Sequence, residues 1–244
     1  MVDPRIYIIN KRLENVKRVI AVSSGKGGVG KSLVASTFAL TLARKKYRVG
    51  LFDADFTSPS THLILGVKEV KAEEAKGIVP VQVHGLKYMS IVAFSREKAL
   101  PLRGADVSNA LIELFSMTLW GDLDFLVIDM PPGISDATLD IIRFIRNIEF
   151  LVVSTPSSLA FETVEKLLKL LKELKVPVNG VVENMKIKQS SFVQRKIEEV
   201  GVKFLGEIPF DPKIEDALGD VAALFKTNFA IKLEEIVSKY VAFT

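Results

Sequence analysis

Residues 19–45 read VIAVSSGKGGVGKSLVASTFALTLARK: an apolar run, a glycine-rich octet, then a stretch with helical spacing. The octet Gly25–Lys26–Gly27–Gly28–Val29–Gly30–Lys31–Ser32 fits G-x-x-x-x-G-K-[ST], and it lies in the strand–loop–helix context that this pattern requires. Gly25, Gly27, Gly28 and Gly30 let the backbone turn its N–H groups inward without a Cβ in the way, making a concave nest for anions. The N-terminus of the following helix adds partial positive charge at the same place. On this reading Lys31 reaches the β and γ phosphates of a nucleoside triphosphate, and the Ser32 hydroxyl ligates magnesium, a hard cation that prefers oxygen.

Working outward, short β-branched runs alternate with helical patterns. Strands are expected at Arg18–Ser23, Arg48–Asp53, Leu86–Val92, Phe125–Asp129, Phe150–Thr155, Val178–Glu183 and Lys203–Ile208. Helices are expected at Lys31–Lys45, Val107–Trp120, Ala137–Arg146, Ala160–Leu174 and Ser191–Val200. Runs such as FLVID (125–129) and FLVVS (150–154) are apolar throughout, as parallel strands covered on both faces are. The pattern predicts an α/β fold: a doubly wound, mainly parallel sheet with helices on both faces, in one domain over residues 1–244. Residues 56–85 are the least regular and read as loop at the sheet edge.

Composition removes whole classes of chemistry. The chain has no cysteine, so disulfides, thiolate metal sites and cysteine nucleophiles are out, and two histidines do not make a histidine-rich metal site. A net charge of +4, with Lys and Glu interleaved, reads as solvated helix faces, so nucleic acid is not an expected partner. No apolar run reaches the ~20 residues of a membrane span, and the N-terminal stretch lacks a signal-peptide pattern, so the expected location is the cytoplasm.

In open α/β sheets ligands sit beyond the carboxyl ends of the strands, and two expected strands end there in acids. The second ends Asp53–Ala54–Asp55 and the fourth Asp129–Met130–Pro131–Pro132–Gly133. Each acid alone could be a strand-end cap. Together with the loop they suit a magnesium shell, with Asp129 and Asp53 supporting the metal and Asp55 orienting the attacking water. Gly133 ends a stiff turn whose amide can face a γ-phosphate.

The string KGGVGKS resembles the deviant phosphate loop of the MinD/ParA and nitrogenase iron-protein superfamily. That resemblance implies a homodimer with ATP at the interface, in which Lys26 reaches the partner's nucleotide. Leu33 departs from the usual threonine, which removes a possible hydrogen bond to the α-phosphate. Six segments are similar to the Mrp/ApbC (Nbp-type) iron–sulfur carriers: residues 53–66, 100–111, 120–139, 154–166, 176–185 and 204–212. The family pattern implies that Asn184 reads the adenine edge, with Pro209 and Asp211 in the loop that wraps the base; a turn-capping Asn is the plainer alternative. These carriers bring a C-x-x-C pair into the segment after ENM. Here that segment reads ENMKIKQSSFVQRKIEEVG, so a cysteine-ligated iron–sulfur cluster is not expected on this chain.

The expected cofactors are therefore ATP/ADP and Mg2+, and the expected partners a second copy and a client protein, for which the family resemblance implies iron–sulfur assembly. The leading account is an ATP-hydrolysing dimeric switch. Two others stay open: a MinD/ParA-like positioning ATPase on membrane or DNA, and a nucleotide-binding scaffold that hydrolyses negligibly. The C-terminal stretch from Phe229 places Phe229, Leu233, Ile236, Val237 and Tyr240 on one helical face, expected to pack on the sheet rather than on lipid.

Overall fold

The computed structural model describes residues 3–68, 73–74, 76–95, 105–188 and 190–242. The chain opens with α1 (Pro4–Arg12), β1 (Val16–Ser24), α2 (Lys31–Arg44), β2 (Val49–Asp53) and the short α3 (Thr61–Ile64). Next come the small strands β3 (Glu73–Glu74), β4 (Ile78–Val79) and β5 (Val81–Val83), then β6 (Leu86–Ser90) and α4 (Val92–Ser95). The second half runs α5 (Ala105–Met117), β7 (Leu123–Asp129), α6 (Asp136–Phe144), β8 (Ile148–Ser154), α7 (Ser158–Glu173), β9 (Val178–Lys186) and α8 (Phe192–Val200). It closes with β10 (Phe204–Pro209), α9 (Ile214–Ala217), α10 (Val221–Leu224) and α11 (Asn228–Ala242).

Eight strands form one sheet in the order β10-β9-β8-β1-β7-β2-β6-β5, parallel everywhere except the β5–β6 hairpin. β1 lies in the middle, between β7 and β8, so the glycine octet leaves the sheet at its centre. The register aligns Val22 of β1 with Asp129 of β7, and Asp129 with Asp53 of β2. Two acids from distant parts of the chain are thereby adjacent at the carboxyl edge.

The pleat explains the all-apolar strands. In β1, Val19 and Ala21 join one core while Ile20 and Val22 join the other; in β8, Phe150 and Val152 oppose Leu151 and Val153. α1, α5, α6, α7 and α8 cover the first face, and α2 and α11 the second. The helical face of α11 is buried as expected, with Phe229, Leu233, Ile236, Val237 and Tyr240 all in the second core. No helix among the described residues is long and apolar enough to cross a membrane.

The strands and helices differ from the sequence-based bounds mostly by a residue or two. Three differences have physical reasons. The region expected as edge loop contains β5, which pairs with β6 through His84 and Gly85, both at positive φ (48° and 81°), so the hairpin reverses in two residues. The helix expected to reach Trp120 stops at Met117, and Trp120 is buried edge-on to Phe52 with ring centroids 6.3 Å apart. α1 was not expected, although its start is well signalled: Pro4 opens it and the Asp3 carboxylate accepts the Arg5 N–H at 2.9 Å. Residues 100–104, part of one segment carrying the family resemblance, lie outside the described residues.

Candidate active site

The octet bends between β1 and α2 with Gly28 and Gly30 at φ 76° and 80°, conformations that disfavour any side chain. A Cβ on Gly27 or Gly28 would meet nothing within 4 Å, so this part of the loop faces open space. The flanking glycines are held instead. A Cβ on Gly25 would come 2.3 Å from Thr163 Oγ1 and 2.6 Å from the α7 backbone; one on Gly30 would come 2.4 Å from Asn184 Nδ2. The loop is thus clamped at both ends by α7 and β9, and open in the middle.

Lys31, the first residue of α2, is buried, and its Nζ lies 2.6 Å from Asp129 Oδ1, 3.3 Å from Ser32 Oγ and 4.0 Å from Asp55 Oδ2. The structure therefore brings Lys31, Ser32, Asp55 and Asp129 together, with Asp53 in register beside Asp129. Asp53 is fully enclosed: its Oδ1 accepts the Asp55 N–H at 3.1 Å, and its Oδ2 accepts the Ser60 N–H, the Thr61 N–H and the Thr61 hydroxyl at 3.2, 3.1 and 2.6 Å. Burial, and then the Asp129 charge, push the Asp53 carboxyl up to about 7. Burial also raises Asp129, against the opposing pull of Lys31. Asp55 keeps a small exposure, and its Oδ1 accepts from the Thr57 hydroxyl (2.8 Å) and the Ser58 N–H (3.2 Å).

Three acidic side chains converge on one ammonium, with two of them raised by burial and mutual repulsion, and Asp129 Oδ2 is buried with no hydrogen-bond partner. Both observations fit a divalent cation. Among the described residues no group of three or more His, Cys, Asp or Glu is arranged to hold a metal by itself. That suits magnesium, which is usually bound through one or two protein oxygens together with substrate phosphates and waters.

Other expected residues take more structural places. The Gly133 N–H donates to the Ser24 carbonyl at 2.9 Å, so this amide ties the turn after β7 to the end of β1 instead of facing outward. Asn184 Nδ2 donates to the Val29 carbonyl at 2.9 Å, which commits one side of the amide to holding the octet. Asp211 accepts the Lys213 and Phe229 N–H groups at 3.1 and 3.3 Å, fixing its loop to the first turn of α11. Leu33, Asn184, Met185, Pro209, Phe210 and Asp211 nevertheless line one small pocket beside the loop. Lys26 is half-buried and makes no ion pair among the described residues. Sequence reasoning missed Thr61, Tyr88 and Thr163 as neighbours of the site, because nothing in their local pattern announces contacts made across the fold.

A family model described as NUBPL iron-transfer P-loop NTPase, of the ParA group, matches residues 15–242. The chain belongs to this family. An iron-sulfur cluster carrier protein of Pseudomonas fragi is 43% identical over 180 residues, 72% of this chain and 62% of its own length. One of Aquifex aeolicus (strain VF5) is 39% identical over 222 residues, 84% of this chain and 61% of its own length. The chain thus spans less than two thirds of the length of these two relatives. Among solved structures, a nucleotide-binding protein in complex with ADP from Archaeoglobus fulgidus is 31% identical with a TM-score of 0.77, over 90% of this chain and 92% of that one. The Pyrococcus furiosus cell division ATPase MinD, at 22% identity, has a TM-score of 0.69 over 92% of this chain and 99% of its own, a likeness of fold. In this chain the stretch after β9 offers lysine, serine and glutamine, and no cysteine occurs at any of the 244 positions.

Proposed function

We propose that this chain binds ATP with magnesium at residues 25–32 and hydrolyses it as a homodimer, and that nucleotide state sets its affinity for a client protein in iron–sulfur transfer. The observation that carries the reading is the buried Lys31 ammonium held among Asp129, Asp55 and Ser32 beside the open Gly27–Gly28 segment. Lys31 neutralises phosphate charge, and the loop amides and the start of α2 orient the phosphates. Ser32 would hold the magnesium ion, with Asp129 and Asp53 supporting it through water; when bound, the ion offsets charge on the β and γ phosphate oxygens. Asp55, the one acid of the three that keeps some exposure, orients the water that attacks the γ-phosphorus as the bond to the β-phosphate oxygen breaks. Lys26, half-buried and unpaired among the described residues, is free to act on the nucleotide of the second copy.

ATP is favoured over GTP because Asn184 is followed by Met185 and Lys186, without the guanine-reading N-K-x-D string. Leu33, Met185, Pro209 and Phe210 give the adjoining pocket apolar walls, and the Asn184 amide, with one N–H held by the Val29 carbonyl, keeps its oxygen and second N–H for a purine edge. With no thiolate on this chain, any cluster handled during transfer takes its cysteine ligands from the client.

The test is ATP turnover per subunit against protein concentration for wild type, Lys26→Ala and Lys31→Ala. Turnover that rises with concentration and is lost in both variants supports the reading. Flat turnover with an active Lys26→Ala overturns the dimer, and an active Lys31→Ala overturns the site.

A further inference from the structure

The loop that carries Asp55 is closed into a ring. Asp53 at its start accepts hydrogen bonds from Asp55 within it and from Ser60 and Thr61 at its end. Thr61 has a single hydroxyl proton and gives it to Asp53 Oδ2 at 2.6 Å. The remaining contact of that hydroxyl, 2.9 Å to the Tyr88 phenol oxygen, is then donated by Tyr88. Tyr88 stands on β6 opposite Leu51 of β2, and Ser90 stands opposite Asp53, so the phenol rises along the sheet face toward the ring closure. Tyr88, Thr61 and Asp53 are all fully buried, where a lost partner is not replaced by bulk water. Burial, and then the Asp53 charge, push the Tyr88 pKa up, so the phenol remains an O–H donor.

We propose that Tyr88, acting through Thr61 and Asp53, is a positioning residue that holds the 54–60 loop in the conformation placing Asp55 near Lys31. This rests on the ATPase reading for its catalytic consequence, but the positioning itself is a property of the loop. The Tyr88 ring fills a core site, so Tyr88→Phe keeps the packing and removes the hydroxyl with its contacts to Thr61 and Ser90, while the Thr61 variants isolate the contact to Thr61. Thr61→Val removes the relay at nearly constant volume, and Thr61→Ser keeps it.

Two readouts are taken on the full chain: steady-state turnover with ADP affinity, and amide hydrogen exchange of residues 54–61 with Mg-ADP present. Tyr88→Phe and Thr61→Val should lower kcat by on the order of tenfold, because a small misplacement of an orienting group is costly. ADP affinity should stay within about twofold, because the octet is untouched, and exchange at 54–61 should speed up several-fold or more as local opening becomes easier. Thr61→Ser should behave as wild type in both. Unchanged exchange and turnover in Tyr88→Phe overturns the proposal, as does an equal loss in Thr61→Ser. If wild type itself does not hydrolyse ATP, the functional reading fails, and the exchange result alone decides the positioning role. If Tyr88→Phe does not fold, the Thr61→Val and Thr61→Ser pair decides it.

Discussion

Lys31 and Asp129 form a buried ion pair at 2.6 Å, and such pairs are costly to break from one side. Lys31→Met keeps the stem and removes the charge, so it should lower stability by up to about 3 kcal/mol, limited by the ease with which the buried carboxyl takes up a proton. Adding Asp129→Asn should recover at least half of that loss, since no uncompensated charge is then buried. Urea denaturation of the two single variants and the double variant checks this, and calorimetry with ADP should show all three binding poorly. The glycines make a complementary case. Gly25→Ala places a methyl group 2.3 Å from Thr163 Oγ1 and 2.6 Å from helix backbone that cannot swing aside, so it should cost roughly 1–3 kcal/mol. Gly27→Ala meets nothing within 4 Å and should leave the thermal midpoint unchanged while weakening ADP. Equal thermal midpoints for the two variants would contradict the clamp by α7.

At the scale of elements, α11 is pinned to the sheet by a polar cluster at the start of its strands. Arg18 of β1 and Asn179 of β9 both donate to the Tyr240 hydroxyl, at 2.6 and 2.7 Å, and both also reach Glu149 of β8. Burial pushes the Glu149 carboxyl up, but the bonds from Arg18 and Asn179 overcome it and leave its pKa lowered from 4.5. A carboxylate with a depressed folded pKa contributes stability above its unfolded pKa and loses it as pH falls through the folded one. Wild type should therefore lose more stability than Glu149→Gln between about pH 5 and pH 3; urea midpoints at the two values measure the difference. This cluster also shows what the sequence can and cannot tell. The octet, its flanking elements and the buried stripe of α11 were legible because each is a local pattern of glycines or apolar spacing. Asp53, Asp55 and Asp129 were legible as strand-end acids, since the carboxyl edge is where ligands bind. Thr61, Tyr88 and the second role of Asn184 were not, because their meaning lies in partners supplied by the register. β5 was missed because three residues carry too little periodicity, and α1 because its capping residues precede a stretch with only one fully buried side chain, Ile9.

For the whole molecule, the decisive contrast is between the family and the donor inventory. The chain belongs to the iron-transfer P-loop NTPases, and the fold delivers a nucleotide-type site at the carboxyl edge of β1. Structural iron–sulfur clusters are held mainly by cysteine thiolates, and this chain has none to give. Nor do its described residues group three or more histidines, aspartates or glutamates as a metal site that could substitute. On the function proposed above, the switch lies on this chain and the thiols on the client, a division of labour that separates two signals. Anaerobic reconstitution of this chain with ferrous iron and sulfide, followed by desalting, should leave no charge-transfer absorbance of a thiolate-bound cluster and no stoichiometric sulfide. The same treatment of a cysteine-bearing client should give that absorbance, and adding this chain with ATP should change the rate at which the cluster leaves, an effect lost in Lys31→Ala. A stable cluster on this chain alone would show that oxygen and nitrogen ligands suffice, and would move the transfer chemistry onto the ATPase itself. A client whose cluster release ignores the nucleotide would break the link between the two halves of the function.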